Sequence, residues 1–228
     1  MSDRIMNALL MSTQDDSNSC ISDIIMAVGF VVEHLEDRFE RYHQNIMPIL
    51  LKLLDNFDDS TTLVVVVGVL GDLCRVWANE DKPRGDLIMG PDFKLSDAIM
   101  QKLLELLKSD AVSLSVKPIT ISFFADIAMA LGKDFVRYAA TVMEVLNKAC
   151  QTAKFGVDDE DHNDFVSKIR ESILEAYTGI IQGFKGTPEL ACMKTYVEGI
   201  VHYSTGFGID APQGGTVADD VLKAAVGT

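Results

Sequence analysis

The stretch Asp164–Gly186, DFVSKIRESILEAYTGIIQGFKG, decides the fold class of this chain. Phe165, Ile169, Ile173, Tyr177, Ile180, Ile181 and Phe184 recur at the three-and-four spacing of one apolar helical stripe. Asp164 can cap its start, and Gly183 and Gly186 can stop it. Glu171, Glu175, Thr178 and Gln182 form a polar ridge on the other side. One helix cannot bury such a stripe alone, so other helices must cover it.

Working outward, the spacing predicts helices over 2–14, 21–36, 38–56, 60–78, 94–108, 111–131, 134–153 and 164–185. They read as antiparallel pairs. Leu35–Tyr42 (LEDRFERY) and Leu131–Tyr138 (LGKDFVRY) each join one apolar helix to the next, and Val66–Leu73 (VVGVLGDL) echoes Phe123–Ala128 (FFADIA). Small residues, Gly29, Gly71, Ala125 and Gly179, recur on the second helix of each pair. The β-branched run Val64–Val67 stays in helical register with Leu70, Leu73 and Trp77. The loop 79–93 breaks helix with Pro83, Gly85, Gly90 and Pro91 and reads as an insertion. A fifth pair begins near 188, crosses a Gly/Pro-rich loop Gly206–Gly215 and enters DDVLKAAVGT, which reads as a helix cut within its repeat. The expectation is an all-α chain, an α-solenoid of about five HEAT-type helix pairs at 1–37, 38–79, 93–132, 133–186 and 187–228, from a longer protein. Asp110 with Val116-Lys117 and Asp164 with Ile169-Arg170 carry the HEAT pattern of an acid before the second helix and a basic residue inside it. Ser22 and Val65 stand near the basic position in the first two pairs, so a ladder between repeats would be incomplete.

The charge balance narrows the partners. Asp and Glu total 34 against 20 Lys and Arg, a net charge of −14. Such a chain is repelled by nucleic acid phosphates and by anionic membranes, and attracts basic segments. Cys20, Cys74, Cys150 and Cys192 stand at no metal-ligand spacing and read as reduced core residues. The opening MSDRIMNALLMSTQDD has neither a basic flank nor an uninterrupted apolar run, which argues against a signal peptide. The longest apolar run, Leu63–Leu70, is too short to span a bilayer, so the reading is a soluble chain.

Three long segments carry a resemblance: VGVLGDLCRVW (67–77), LSVKPITISFFADIAMALGKDFVRY (114–138) and KIRESILEAYTGIIQGFKG (168–186). Together, in order and at matching intervals, they resemble the C-terminal HEAT repeats of the importin-beta (karyopherin-beta) family of nuclear import receptors. The opening, MSDRIMNALL with IIMAVGFVVEHL, is compatible with the preceding repeat. The resemblance implies a right-handed superhelix, first helices outside and second helices on the concave face. It also implies protein partners: the basic importin-beta-binding segment of importin-alpha or other basic cargo, the GTPase Ran, and FG-repeat nucleoporins. Localisation in cytoplasm and nucleus, with presence at the nuclear pore, follows from the same resemblance. The alternative is a HEAT scaffold that holds a multi-subunit assembly together and has no transport role.

Chemistry-bearing constellations are few. The acidic stretch Asp158–Asp164 lacks the glycine and ligand spacing of a calcium loop and reads as a solvated lead into a helix N-terminus. Gly179–Thr187 echoes a phosphate-binding loop with the wrong spacing, and it closes a helix instead of following a strand. His34, His43, His162 and His202 form no metal or triad spacing, and no serine sits in a nucleophile elbow. No catalytic, metal or cofactor residues are therefore assigned, and an enzyme is not expected. Trp77 reads as core. The Phe39/Tyr42 and Phe135/Tyr138 pairs either seal the joint between repeats or line a groove that takes a nucleoporin phenylalanine. Glu33, Asp72, Asp126, Glu171 and Glu175, all on second helices, are the carboxylates assigned to partner binding.

Overall fold

The computed structural model describes residues 2–13, 19–78, 83–154 and 160–210. The described residues hold the helices α1 (Ser2–Ser12), α2 (Ile21–Leu35), α3 (His43–Leu53), α4 (Ser60–Trp77), α5 (Gly85–Met89), α6 (Lys94–Lys108), α7 (Val116–Leu131), α8 (Val136–Thr152), α9 (Glu160–Gly183) and α10 (Val197–Asp210). Among them there is no strand. Short 3-10 turns at Glu36–Tyr42, Pro91–Phe93, Gly132–Phe135 and Pro188–Thr195 join several of these helices. The chain divides into two units, Met1–Phe123 and Phe124–Thr228.

In the first unit α4 is the core helix. Asp59 caps it, accepting the backbone N–H of Thr62 at 3.0 Å and the Thr62 hydroxyl at 2.6 Å. Leu63, Val66, Val67, Leu70, Leu73, Cys74 and Trp77 are buried along it, so the β-branched run packs in helical register. By length and composition α4 could cross a bilayer, contrary to the reading of Leu63–Leu70 alone, but more than half of it is buried inside the chain, as in a core helix. His43 at the start of α3 packs edge-on against Trp77 at the end of α4, ring centroids 5.3 Å apart, so the pair runs antiparallel. Tyr42 and Arg41 both reach the Asp3 carboxylate and tie α1 to the turn before α3. The described part of the stretch expected as a loop, 83–93, holds α5 and the turn Pro91–Phe93, and Arg84 clamps both Glu40 and Asp86.

In the second unit α8 and α9 are antiparallel. Phe135 before α8 meets Phe184 after α9 at 6.1 Å, while Arg170, early in α9, donates from Nε to the Ala153 carbonyl after α8 at 3.0 Å. α7 and α9 run parallel and nearly touch. A Cβ on Gly179 would stand 2.3 Å from the Ala125 Cβ, and one on Gly183 would stand 2.5 Å from the Ala128 carbonyl oxygen. Two of the recurrent small residues are thus direct neighbours across second helices, which is why neither carries bulk.

Several expected boundaries move. α9 starts at Glu160, so Asp164 lies inside the helix and caps nothing, and 160–164 is not loop. The acids of the first turn fit a helix N-terminus electrostatically, so they extend the helix instead of preceding it. α7 starts at Val116, not 111, after a serine-rich turn in which the Ser109 Oγ accepts from the Ala111 backbone N–H. α10 carries 206–210 as helix, which shortens the expected Gly/Pro-rich loop; the remainder of that loop and the final helix DDVLKAAVGT lie outside the described residues. Cys20 is exposed and precedes α2, unlike the core cysteine expected; Cys74 is buried, Cys150 and Cys192 half-buried.

Candidate partner interface

Two ridges build a groove in the first unit. On α2, Met26, Phe30 and Glu33 fall at i, i+4 and i+7; on α4, Val65, Gly68 and Asp72 fall at i, i+3 and i+7. Gly29 lets the helices close, since a Cβ there would lie 3.0 Å from Val69 Cγ2 and 3.4 Å from Asp72 Oδ2. The result is a groove of about 200 Å³ lined by Met26, Gly29, Phe30, Glu33, Val65, Gly68, Val69 and Asp72. Two of the sequence-assigned carboxylates, Glu33 and Asp72, are therefore brought together. The Asp72 carboxylate sits beside Gly29, four residues and about 6 Å of helix rise from Glu33. Glu33 is exposed, whereas Asp72 is half-buried and paired with Arg75 on its own helix.

The other three assigned carboxylates lie in the second unit. Glu175 is exposed on α9; Glu171 and Asp126 are half-buried. Since Ala125 packs on Gly179, Asp126 stands level with Ile180, five residues beyond Glu175, or about 7.5 Å along the axis. Glu171, Glu175, Thr178 and Gln182 do form the less buried side of α9, opposite a buried side wider than the expected stripe. Val166, Ser167, Arg170, Ser172, Leu174 and Ala176 are buried as well.

The aromatic pairs resolve differently. Phe39, Tyr42, Phe135 and Tyr138 are all buried, with ring centroids 5.5 Å apart in the first pair and 6.0 Å in the second. They seal the joints and cannot receive a phenylalanine as they stand. Arg170 is buried, and its cation satisfies the C-terminal carbonyl of α8, where the helix dipole favours positive charge. Asp110 is six residues ahead of the start of α7.

Sequence reasoning missed the apolar half of the groove. Phe30 is 66% exposed and Met26 46%, both on a helix that is largely apolar. That hydrophobicity is the signal: a helix with more apolar surface than its neighbours cover must present some outward. Among the described residues no group of three or more His, Cys, Asp or Glu could hold a metal ion.

The model of the family described as "Importin subunit beta-1-like, TPR repeats" matches residues 1–228. The chain belongs to the importin subunit beta-1-like family. It is 30% identical over 227 residues to importin subunit beta-1 of Arabidopsis thaliana, covering 99% of this chain and 24% of that protein. With importin subunit beta-1 of Schizosaccharomyces pombe it shares 32% over 198 residues, 86% of this chain and 22% of the other. A crystal structure of importin beta superposes with a TM-score of 0.86 at 24% identity over 99% of this chain and 25% of that one. The fold is thus that of the all-α importin-beta solenoid. A Kap95:Nup1 complex superposes with a TM-score of 0.80 at 27% identity, covering 98% of this chain and 24% of that one. Kap95p solved with RanGDP gives 0.77 at 27% identity, over 98% and 24% of the two chains. The chain spans about a quarter of the length of these importin-beta relatives.

Proposed function

We propose that this chain is one HEAT-repeat segment of a nuclear transport receptor, whose second-helix carboxylates bind Lys- and Arg-rich segments of cargo or of an importin-alpha-type adaptor. The observation that carries the reading is the groove between α2 and α4, where Glu33 and Asp72 share one wall-to-wall site in a chain of net charge −14. Carboxylates on adjacent helices act on one approaching cation together, which favours basic partners and repels acidic ones. Glu171, Glu175 and Asp126 supply a second acidic line of the same character. Ran and FG nucleoporins are further partners, supported by the Kap95p structures with RanGDP and with Nup1. Cytoplasm, nucleus and pore are the matching locations.

The test is capture by immobilised baits: a basic import segment, Ran loaded with GTP, and an FG peptide. Binding to at least the basic segment is expected, weakened when Glu33→Lys and Glu175→Lys are combined. A chain that ignores all three baits, yet is folded by circular dichroism, would leave the transport reading without support.

A further inference from the structure

We propose that the α2–α4 groove is an anchor site for one large apolar side chain, leucine- or phenylalanine-like, carried on a basic segment of a partner protein. The inference rests on the basic-partner reading above and adds a specificity to it. Charge alone would need only carboxylates on a polar surface. Here the acids border an apolar slot instead. Val65 and Val69 line it, Gly29 and Gly68 lower its floor to backbone, and the half-to-two-thirds exposed Met26 and Phe30 stand beside it.

Size and charge select the occupant. About 200 Å³ falls below the roughly 300–1,000 Å³ of sites that enclose a drug-sized ligand, so the groove suits a single side chain and not a cofactor. A second copy of this chain is disfavoured, because it would bring another −14 against an acidic rim. A cation one turn from the anchor meets Glu33, which is exposed and forms no ion pair among the described residues; Asp72 shares its charge with Arg75. Burying one such apolar side chain raises affinity roughly ten- to hundred-fold.

Three fluorescent 14-residue peptides of one length test this by anisotropy: lysines with leucines at helical spacing, the same with every leucine replaced by serine, and the same with every lysine replaced by glutamate. The wild-type chain is expected to bind the Lys/Leu peptide at least tenfold more tightly than Lys/Ser and to reject Glu/Leu. In Phe30→Ser, an exposed position whose change spares the core, the Lys/Leu preference should collapse while Lys/Ser affinity stays. Equal binding of Lys/Leu and Lys/Ser overturns the anchor and leaves the basic-partner reading standing. A leucine preference that survives Phe30→Ser places the anchor elsewhere and also overturns it. Rejection of both lysine peptides sinks both readings together.

Discussion

At Gly179 a missing side chain is what allows two helices to meet, and at Gly68 it is not. A methyl at Gly179 would press 2.3 Å from the Cβ and 2.4 Å from the Cα of Ala125, backbone that cannot swing aside, whereas at Gly68 the nearest atom is Ile119 Cδ1 at 3.8 Å. Alanine gains about 1 kcal/mol over glycine in a helix interior. Overpacking a tight contact costs about 1–3 kcal/mol. Gly68→Ala should therefore raise the urea midpoint and Gly179→Ala lower it, a divergence of sign within one residue type; equal midpoints would mean that α7 and α9 part freely. Asp59 gives a pH-dependent case. Hydrogen bonds from the Thr62 side chain and backbone hold its carboxyl below the ordinary 3.8. A depressed carboxylate adds stability that is full above the unfolded value and is lost as pH falls through the folded one. Asp59→Ala should cost about 0.5–2 kcal/mol at pH 7, and the gap to wild type should narrow as pH falls below the ordinary 3.8. A gap that persists at pH 2 would show that the cap does not act through its charge.

On the scale of elements, Arg170 is where a sequence motif and its structural use diverge. Its position in the repeat pattern suggested a place in a ladder between repeats, whereas its Nε caps the end of α8 by donating to the Ala153 carbonyl, which no intrahelical N–H reaches. Nearby, burial pushes the Cys150 thiol up, and Tyr177 donates to or accepts from it at 3.4 Å, so this end of the α8–α9 pair is densely packed. Arg170→Met should leave that carbonyl unsatisfied and cost about 1–3 kcal/mol. Arg170→Lys should recover only part, lacking the planar fork. Fast hydrogen exchange confined to 149–154 in the methionine variant is the signature; an unchanged profile would show water serving equally well. The helices themselves were legible because their periodicity is strong: α2, α4, α6 and α8 begin and end within about three residues of the spacing-based expectation. The first turn of α9 was not, because acids that suit a helix N-terminus also suit a loop. α5 was hidden by the glycine and prolines around it. That Glu33 and Asp72 lie on neighbouring second helices was legible from their register. Phe30 and Met26 were not, since an apolar residue on an apolar helix gives no sign of which way it faces.

For the molecule as a whole, the question is whether −14 is a general field or acts through particular carboxylates. Both attract a basic segment, and both weaken with salt, since exposed charges are screened over about 8–10 Å near physiological ionic strength. They differ in what a local change does. Glu33→Lys with Glu175→Lys moves the net charge from −14 to −10, two units for each of two reversals. Asp110→Lys with Glu144→Lys makes the same change at exposed positions that belong to none of α2, α4 and α9. All four are surface sites, where substitutions away from the core usually stay within about 0.5 kcal/mol in stability. A diffuse field would slow association with a Lys-rich peptide equally in the two double variants. Binding through the assigned carboxylates should slow it more in the first pair, flatten the dependence of its rate on salt, and leave the second pair close to wild type beyond a small uniform loss. Stopped-flow association rates from 50 to 300 mM salt separate the two. Identical salt slopes in both double variants would reduce Glu33 and Glu175 to a share in the solubility of an acidic chain, and the interface would have to be sought elsewhere on it.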